Sequence, residues 1–403
     1  MPAGFLSKKI DVLICRMRFG GMLSWLLVCA VVSQSLASGP GINFIENKGQ
    51  WPERFDFSAR VSGGLFSLSH GSFNYLFVDQ KRIEELHRGN PNLRREIIEN
   101  TALNENHVLV TNGAAGALFI INTSLLDVKD HLIVVRPNYS TNIEVPKTIG
   151  CEITYIDMKL EDEWRVNINA IEKGIQSNTK LISITSPHNP TGMLMAEDEL
   201  GGLIAMVEKK NIHLLVDETY RNACFKTPYP IVATKSKKVI SVSSLSKSFG
   251  LPGLRIGWLI TQDEILMERF LAAKEMIYIS NSALDEEVAF QFMSQREKFE
   301  RKINERLLIN FEHLRQWLAQ EKILECILPK GGVVCFPRFK NPNSVDLEKF
   351  YNILMEKYKT MVGPGHWFAM PDYYFRLGFG WVDSSTFKIG LENLSKTIAE
   401  SLK

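Results

Sequence analysis

The sequence of 403 residues predicts an α/β chain built on a mostly parallel, seven-stranded sheet with helices on both faces. Three observations carry that expectation. Strand-like apolar runs recur at 107–110, 131–135, 152–156, 181–185, 212–216, 238–243 and 256–260, with helical patterns between them. Polar residues follow several of these runs at the spacing of a strand–helix–strand unit, about thirty residues. The composition, 45% hydrophobic and 23% charged, suffices for a large core.

The elements follow in chain order. After 107–110 come Gly113, Ala114 and Ala115 and then an apolar helical pattern, so the backbone N–H groups at that helix start are free to cradle a phosphate. Tyr139 follows the 131–135 run in VVRPNYS. In LISITSPHNPTG, a buried strand at 181–185 opens into a turn at Asn189, Pro190 and Gly192. NIHLLVDETY repeats the arrangement, with Asp217, Glu218 and Tyr220 at the carboxyl end of 212–216. SLSKSFGLPGLRIGW, residues 244–258, then sets Lys247 between hydroxyls, with a glycine-rich turn and Arg255 eight residues on. Polar groups after successive parallel strands converge on the carboxyl edge of the sheet, where open α/β proteins bind ligands. From about 262 a long helical pattern leads away, and the remainder, through LPKGGVVCFPRF and MVGPGHWF, predicts a small α+β domain.

A coenzyme aldehyde is held as a Schiff base only by an amine that is fixed in place and partly deprotonated, and Lys247 is the candidate. Burial and the charge of Arg255 would lower its pKa. Ser244, Ser246 and Arg255 can donate to a phosphate, while Gly250, Gly253 and Gly257 let the backbone pass close by. The bland alternative is a Ser/Gly surface loop with incidental cations. Arg376, in YYFRLGFG, lies in an alternating strand pattern where an unpaired guanidinium is costly to bury. Its partner is either a ligand carboxylate or a protein Asp or Glu.

Over roughly residues 90–400 these segments resemble the class I/II aminotransferases, fold-type I enzymes that use pyridoxal 5'-phosphate. The resemblance implies a three-layer α/β/α large domain over 87–265, with a linking helix and small α+β domain over 266–403. It implies that Lys247 holds the coenzyme and serves as general acid/base, that Asp217 pairs with the pyridine nitrogen, and that Asn189 and Tyr220 donate to the ring hydroxyl. Tyr139 would stack on the ring. Gly113, Ala114, Ala115, Ser244, Ser246 and Arg255 would hold the phosphate, and Arg376, with Asn189, the substrate α-carboxylate. It further implies an L-amino acid and a 2-oxo acid as substrates, a homodimer, and a cytoplasmic location for the catalytic part. Ala115 and Gly116 stand where the family often carries a hydroxyl and an acidic or amide residue, which shifts the clamp to backbone donors with Thr111 as a helper. The same apparatus supports decarboxylation, elimination and cyclisation. VGPGHWFAMPDYYFRLGFG resembles the branch with capreomycidine synthase-like enzymes, and histidinol-phosphate aminotransferases are another relative.

The front of the chain reads differently. Arg16 and Arg18 precede an apolar run at 22–32 and then SQSLAS, so residues 1–38 have the shape of a secretory signal, with a buried amino-terminal helix as the alternative. Alternating aromatics with Gly/Ser turns predict a short β-rich module over 39–86. Its string from Glu46 through Asn47, Lys48, Gly49 and Gln50 to Trp51 resembles a module of large secreted bacterial proteins. The chain therefore reads as a fusion. Where the family supplies a tyrosine to the partner subunit, shortly before Gly89, this chain has Glu84 or Glu85, so a catalytically impaired fusion stands beside the active enzyme as an alternative.

A net charge of +2 gives no nucleic-acid signal, and residues 1–85 lack the basic recognition helix of a coenzyme-binding regulator. Cys15, Cys29, Cys151, Cys224, Cys326 and Cys335 show no metal-ligand spacing, and the last two read as buried thiols. His107, His131 and His213 flank strands and read as structural.

Overall fold

A computed structural model of the protein describes residues 84–225 and 230–403 in full. By backbone alone it describes the start of the helix Gln80–Arg88 and five strands before it. Met1–Pro91 is one compact unit. Its strands form an antiparallel sheet in the order Ile14–Arg18, Ser72–Phe77, Gly64–Ser69, Phe57–Val61, Ile45–Glu46. The remainder of the leader-like segment, and the whole of the string after Glu46, Asn47 to Trp51, lie outside the described residues.

Asn92–Lys403 is the second unit. Its seven-stranded sheet comprises β1 (Val108–Asn112), β2 (His131–Arg136), β3 (Glu152–Asp157), β4 (Thr179–Thr185), β5 (His213–Asp217), β6 (Val239–Ser244) and β7 (Ile256–Thr261). They lie in the order β1-β7-β6-β5-β4-β2-β3. All neighbours are parallel except β7, which runs antiparallel to both β6 and β1. The sheet is thus the mostly parallel α/β sheet that the apolar runs predict.

Strands covered on both faces must be apolar on both, and alternate residues here feed two separate cores. Leu132, Val134, Leu181, Leu215, Ile240, Val242 and Leu259 pack with Ile120 of α1 (Gly113–Leu125) and Phe270 of α4 (Glu264–Ile277). Ile133, Val135, Ile182, Ile184, Leu214, Val216 and Val239 turn the other way. They meet Ile171 of α2 (Ile168–Gly174) and Leu203 and Val207 of α3 (Glu197–Lys210). The result is three layers, helix on sheet on helix.

The long helical pattern expected from about 262 is broken into three helices: α4, then Ala283–Met293, then α5 (Arg296–Gln320). The first break has a local cause. Ile279 takes a left-handed φ of 61°, and the Ser282 hydroxyl accepts from Asp285 N at 3.3 Å to start a new helix. A third core gathers Leu307, Leu314 and Trp317 of α5 with Phe350, Phe375, Leu391 and Ile398. It covers a small antiparallel sheet of Val334–Cys335, Phe375–Gly378 and Gly363–Pro364. Cys335 is buried as expected, whereas Cys326 is only half-buried because it lies just beyond the edge strand Leu324–Glu325. His131 is buried with both ring nitrogens on threonine hydroxyls, at 2.7 and 2.8 Å. No helix among the described residues is long and apolar enough to cross a membrane.

Trp164 joins distant segments. It is 2% exposed and packs against the rings of Phe336 and Tyr374, with centroids 5.9 and 5.8 Å away. Removing a buried indole leaves a cavity that the surroundings only partly fill, so W164A is expected to destabilise the fold by about 3–5 kcal/mol. Urea denaturation checks this, with W164F losing less.

Candidate active site

Asp217 closes the central strand β5 and is buried. Its Oδ1 accepts from Thr219 N at 3.0 Å and from Thr219 Oγ1 at 2.5 Å, with the Asn142 amide beside the carboxyl group. Burial raises its pKa, and the hydrogen bonds from Thr219 and Asn142 oppose that rise. A carboxyl group so placed is suited to receive an N–H cation from a ligand ring.

β6 ends at buried Ser244 and the chain turns sharply. Leu245 N donates to Ile256 O, and Leu251 N closes the turn on Leu245 O, each at 3.0 Å. Ser248 Oγ donates to Thr219 O at 3.0 Å, which ties this turn to the one that holds Asp217. Lys247 stands on this turn and is exposed, between half-buried Ser246 and buried Ser248. Its amine is nevertheless held below the usual lysine range, first by partial burial and then by the positive charges of Arg376 and Arg255. Ser246 is half-buried, and its N–H reaches Ser244 Oγ at 3.4 Å.

Two glycines shape the approach of β7 to the start of α1. A Cβ on Gly257 would lie 2.3 Å from Gly113 C and 2.6 Å from Ala114 N, so β7 can touch the start of α1 only as bare backbone. Gly113 has a φ of 71°, and a Cβ there would lie 2.7 Å from Arg255 Nη2. Arg255, itself left-handed at φ 54°, is tethered by Nη1 to Pro252 O at 2.9 Å, so its guanidinium is held over the helix start. Ala115 follows, half-buried, in the first turn of α1. Thr111 does not help as expected, because its buried hydroxyl donates to Gly113 O at 3.0 Å. The preceding Asn112 is held by contacts that no sequence pattern announces. Its N–H donates to Tyr278 OH at 3.2 Å, and its Oδ1 accepts from Asn281 Nδ2 at 2.6 Å.

Arg376 reaches the same region from the small sheet. Its Nη1 donates to Asn189 Oδ1 at 3.0 Å, its Cζ lies 4.9 Å from the Phe368 ring centroid, and no acidic side chain pairs with it among the described residues. The protein carboxylate that would have explained it is not found there. Tyr220 is buried and its hydroxyl is pushed up to about 12, mainly by burial. Arg376 pulls against that shift, while Asp217 and Tyr139 add to it. Tyr139 is 40% exposed, with its N–H on Asn138 Oδ1 at 2.7 Å. That buried Oδ1 also accepts from Asn142 Nδ2 at 3.2 Å and Thr185 Oγ1 at 3.1 Å.

Asp217, Tyr220, Tyr139, Asn189, Lys247, Arg255 and Arg376 thus share one electrostatic neighbourhood, with Gly113 and Ala114 at its edge. Sequence reasoning missed Asn138, Asn142, Thr185, Thr219 and Ser248. Only Thr219 left a trace, since Asp-x-Thr is the pattern of an Asx turn. The donor set fits pyridoxal phosphate: bare N–H groups and a guanidinium for the phosphate, a buried carboxyl for the ring nitrogen, and an amine below its usual pKa for the aldehyde.

Fold and site together define a fold-type I pyridoxal-phosphate enzyme. The sequence pattern of aminotransferase classes I and II matches residues 83–394, and the chain belongs to that family, as a pyridoxal-phosphate-dependent aminotransferase. Capreomycidine synthase of Streptomyces vinaceus is 25% identical over 299 residues, covering 72% of this chain and 75% of that protein. A probable kynurenine–oxoglutarate transaminase of Saccharomyces cerevisiae is 29% identical over 269 residues, 61% of this chain and 58% of that protein. The crystal structure of a PLP-dependent aminotransferase from Streptococcus suis superposes with a TM-score of 0.74 at 27% identity, covering 79% of this chain and 83% of that one.

Borohydride trapping of added pyridoxal phosphate at Lys247 is expected to rise with pH, because only the neutral amine attacks, with a midpoint below the ordinary 10.5. R376Q moves that midpoint up, since removing a nearby positive charge favours the protonated amine. G257A pushes β7 off the helix start and weakens coenzyme binding by about tenfold or more, at the ~1–3 kcal/mol typical of overpacking; equilibrium dialysis measures it.

Proposed function

We propose that Lys247, Asp217 and Tyr220 carry the transfer of an amino group from an L-amino acid to a 2-oxo acid, with Arg376 and Asn189 as the substrate clamp. The observation that carries this reading is the Arg376 guanidinium, stacked on Phe368 and anchored to Asn189 but facing no carboxylate among the described residues. An α-carboxylate completes it as a charge-assisted pair.

When bound, pyridoxal phosphate supplies an aldehyde carbon for the amino group and an electron-accepting ring. Arg376 fixes the substrate by its carboxylate, so that the α-hydrogen faces the Lys247 amine. With its pKa lowered by burial and by two neighbouring cations, that amine can take the α-proton and return one. Asp217 would hold a proton on the ring nitrogen through the carboxyl group whose Oδ1 Thr219 orients. Tyr220 stays protonated at neutral pH, because burial pushes its hydroxyl up to about 12, and would donate to the ring hydroxyl. Gly113, Ala114, Ala115, Ser244, Ser246 and Arg255 would hold the phosphate, and Tyr139 would pack on the ring.

The reading includes a homodimer working in the cytoplasm. Met276, Ile279, Leu284 and Val288 are 90%, 56%, 55% and 52% exposed on neighbouring turns, an apolar surface that a second copy would cover. R376Q tests the clamp. Its kcat/KM for amino donors is expected to fall about 100-fold, the loss typical of removing one partner of a desolvated ion pair, mostly through KM. Native kinetics in that variant would sink the assignment.

A further inference from the structure

We propose that Trp367 selects substrates with aromatic side chains, an inference that rests on the reading of Arg376 as the carboxylate clamp. Gly363 and Arg376 face each other across the antiparallel pair Gly363–Pro364 with Phe375–Gly378. Directly opposed residues of such a pair share one face of the sheet. A Cβ on Gly363 would stand 3.2 Å from Trp367 Cε3, 3.5 Å from Arg376 Cβ and 3.5 Å from Phe368 Cε2. The indole, the phenyl ring and the arginine therefore crowd over the same bare Cα. Their surroundings differ, however. Phe368 is buried against the guanidinium, at 3% exposure, whereas Trp367 is 46% exposed beside it.

The indole is also held by a rigid turn. His366 N donates to Asp372 Oδ1 at 2.9 Å, and His366 Nδ1 lies 2.8 Å from the same oxygen. Met370 N closes on Gly365 O at 3.1 Å, and only a glycine at 365 admits Pro371 O, which a Cβ would meet at 2.0 Å. An aromatic surface fixed in this way loses little freedom when a ligand packs on it. Charge points the same way. The cations that act on Lys247 are Arg376 and Arg255. The first is taken by the α-carboxylate and the second lies over the helix start, so neither of these two is left for a side-chain carboxylate, while a ring on the substrate finds the exposed indole.

The test uses the full chain loaded with pyridoxal phosphate. The kcat/KM ratio of phenylalanine to alanine is expected to fall about tenfold in W367A and to be kept in W367F. Calorimetry with 3-phenylpropanoate and propanoate, which lack an amine and do not react, gives a second readout. The aromatic acid binds about tenfold more tightly to the native chain and to W367F, and loses that advantage in W367A. Equal binding of the two acids by the native chain overturns the inference whether or not W367A folds, as does an unchanged phenylalanine preference in W367A. Absence of turnover with any amino donor, alongside a Trp367-dependent preference for phenylpropanoate, supports the role of Trp367 and sinks the aminotransferase reading instead.

Discussion

A carboxyl group buried at the end of the central strand is the constraint on which the remaining site depends. Asp217 loses its water when β5 is covered on both faces, and its charge is then tolerable only where donors or a cation replace that water. Thr219 provides two donors from two residues away, and its carbonyl accepts the Ser248 hydroxyl from the lysine turn. One short turn therefore sets both the carboxyl orientation and the position of the turn that bears Lys247. The two groups that would act on opposite sides of the same reaction are registered to each other by backbone and hydroxyl contacts, not by touching.

Around that constraint the site is assembled by subtraction as much as by addition. Strand β7 reaches the start of α1 because Gly257 and Gly113 remove the side chains that would hold strand and helix apart. Arg255 occupies the space so opened, in a backbone conformation that costs of order 1 kcal/mol for a residue with a Cβ. Arg376 enters from a different sheet, and its bond to Asn189 joins the small antiparallel sheet to the loop after β4. Partial burial, and after it the two neighbouring cations, lower the basicity of Lys247.

Much of this was legible in the sequence because parallel sheets write themselves as apolar runs with their chemistry at one end. Asp217, Lys247 and Asn189 each follow such a run, Arg376 interrupts an antiparallel strand, and all four arrive in the same neighbourhood. What could not be read was any contact made across the fold. Asn112 is held by Tyr278 and Asn281, more than 160 residues away, and nothing local in TNGAAG announces that. The exposure of Lys247 left no mark in the sequence either, because Leu245, Ser248 and Phe249 on the same turn are buried. The single long helix after residue 262 failed on a backbone detail, since a left-handed isoleucine leaves no mark in a hydrophobic pattern.

Asn138 shows what such hidden contacts imply for the divergence of the chain. One amide oxygen accepts from Tyr139, Asn142 and Thr185, three donors on two distant stretches of the chain. An aspartate could accept as many, but it would set a second negative charge close to Asp217; a serine would fall short of at least one donor. Few exchanges are open at this position, so drift elsewhere in the loop must proceed around a fixed asparagine.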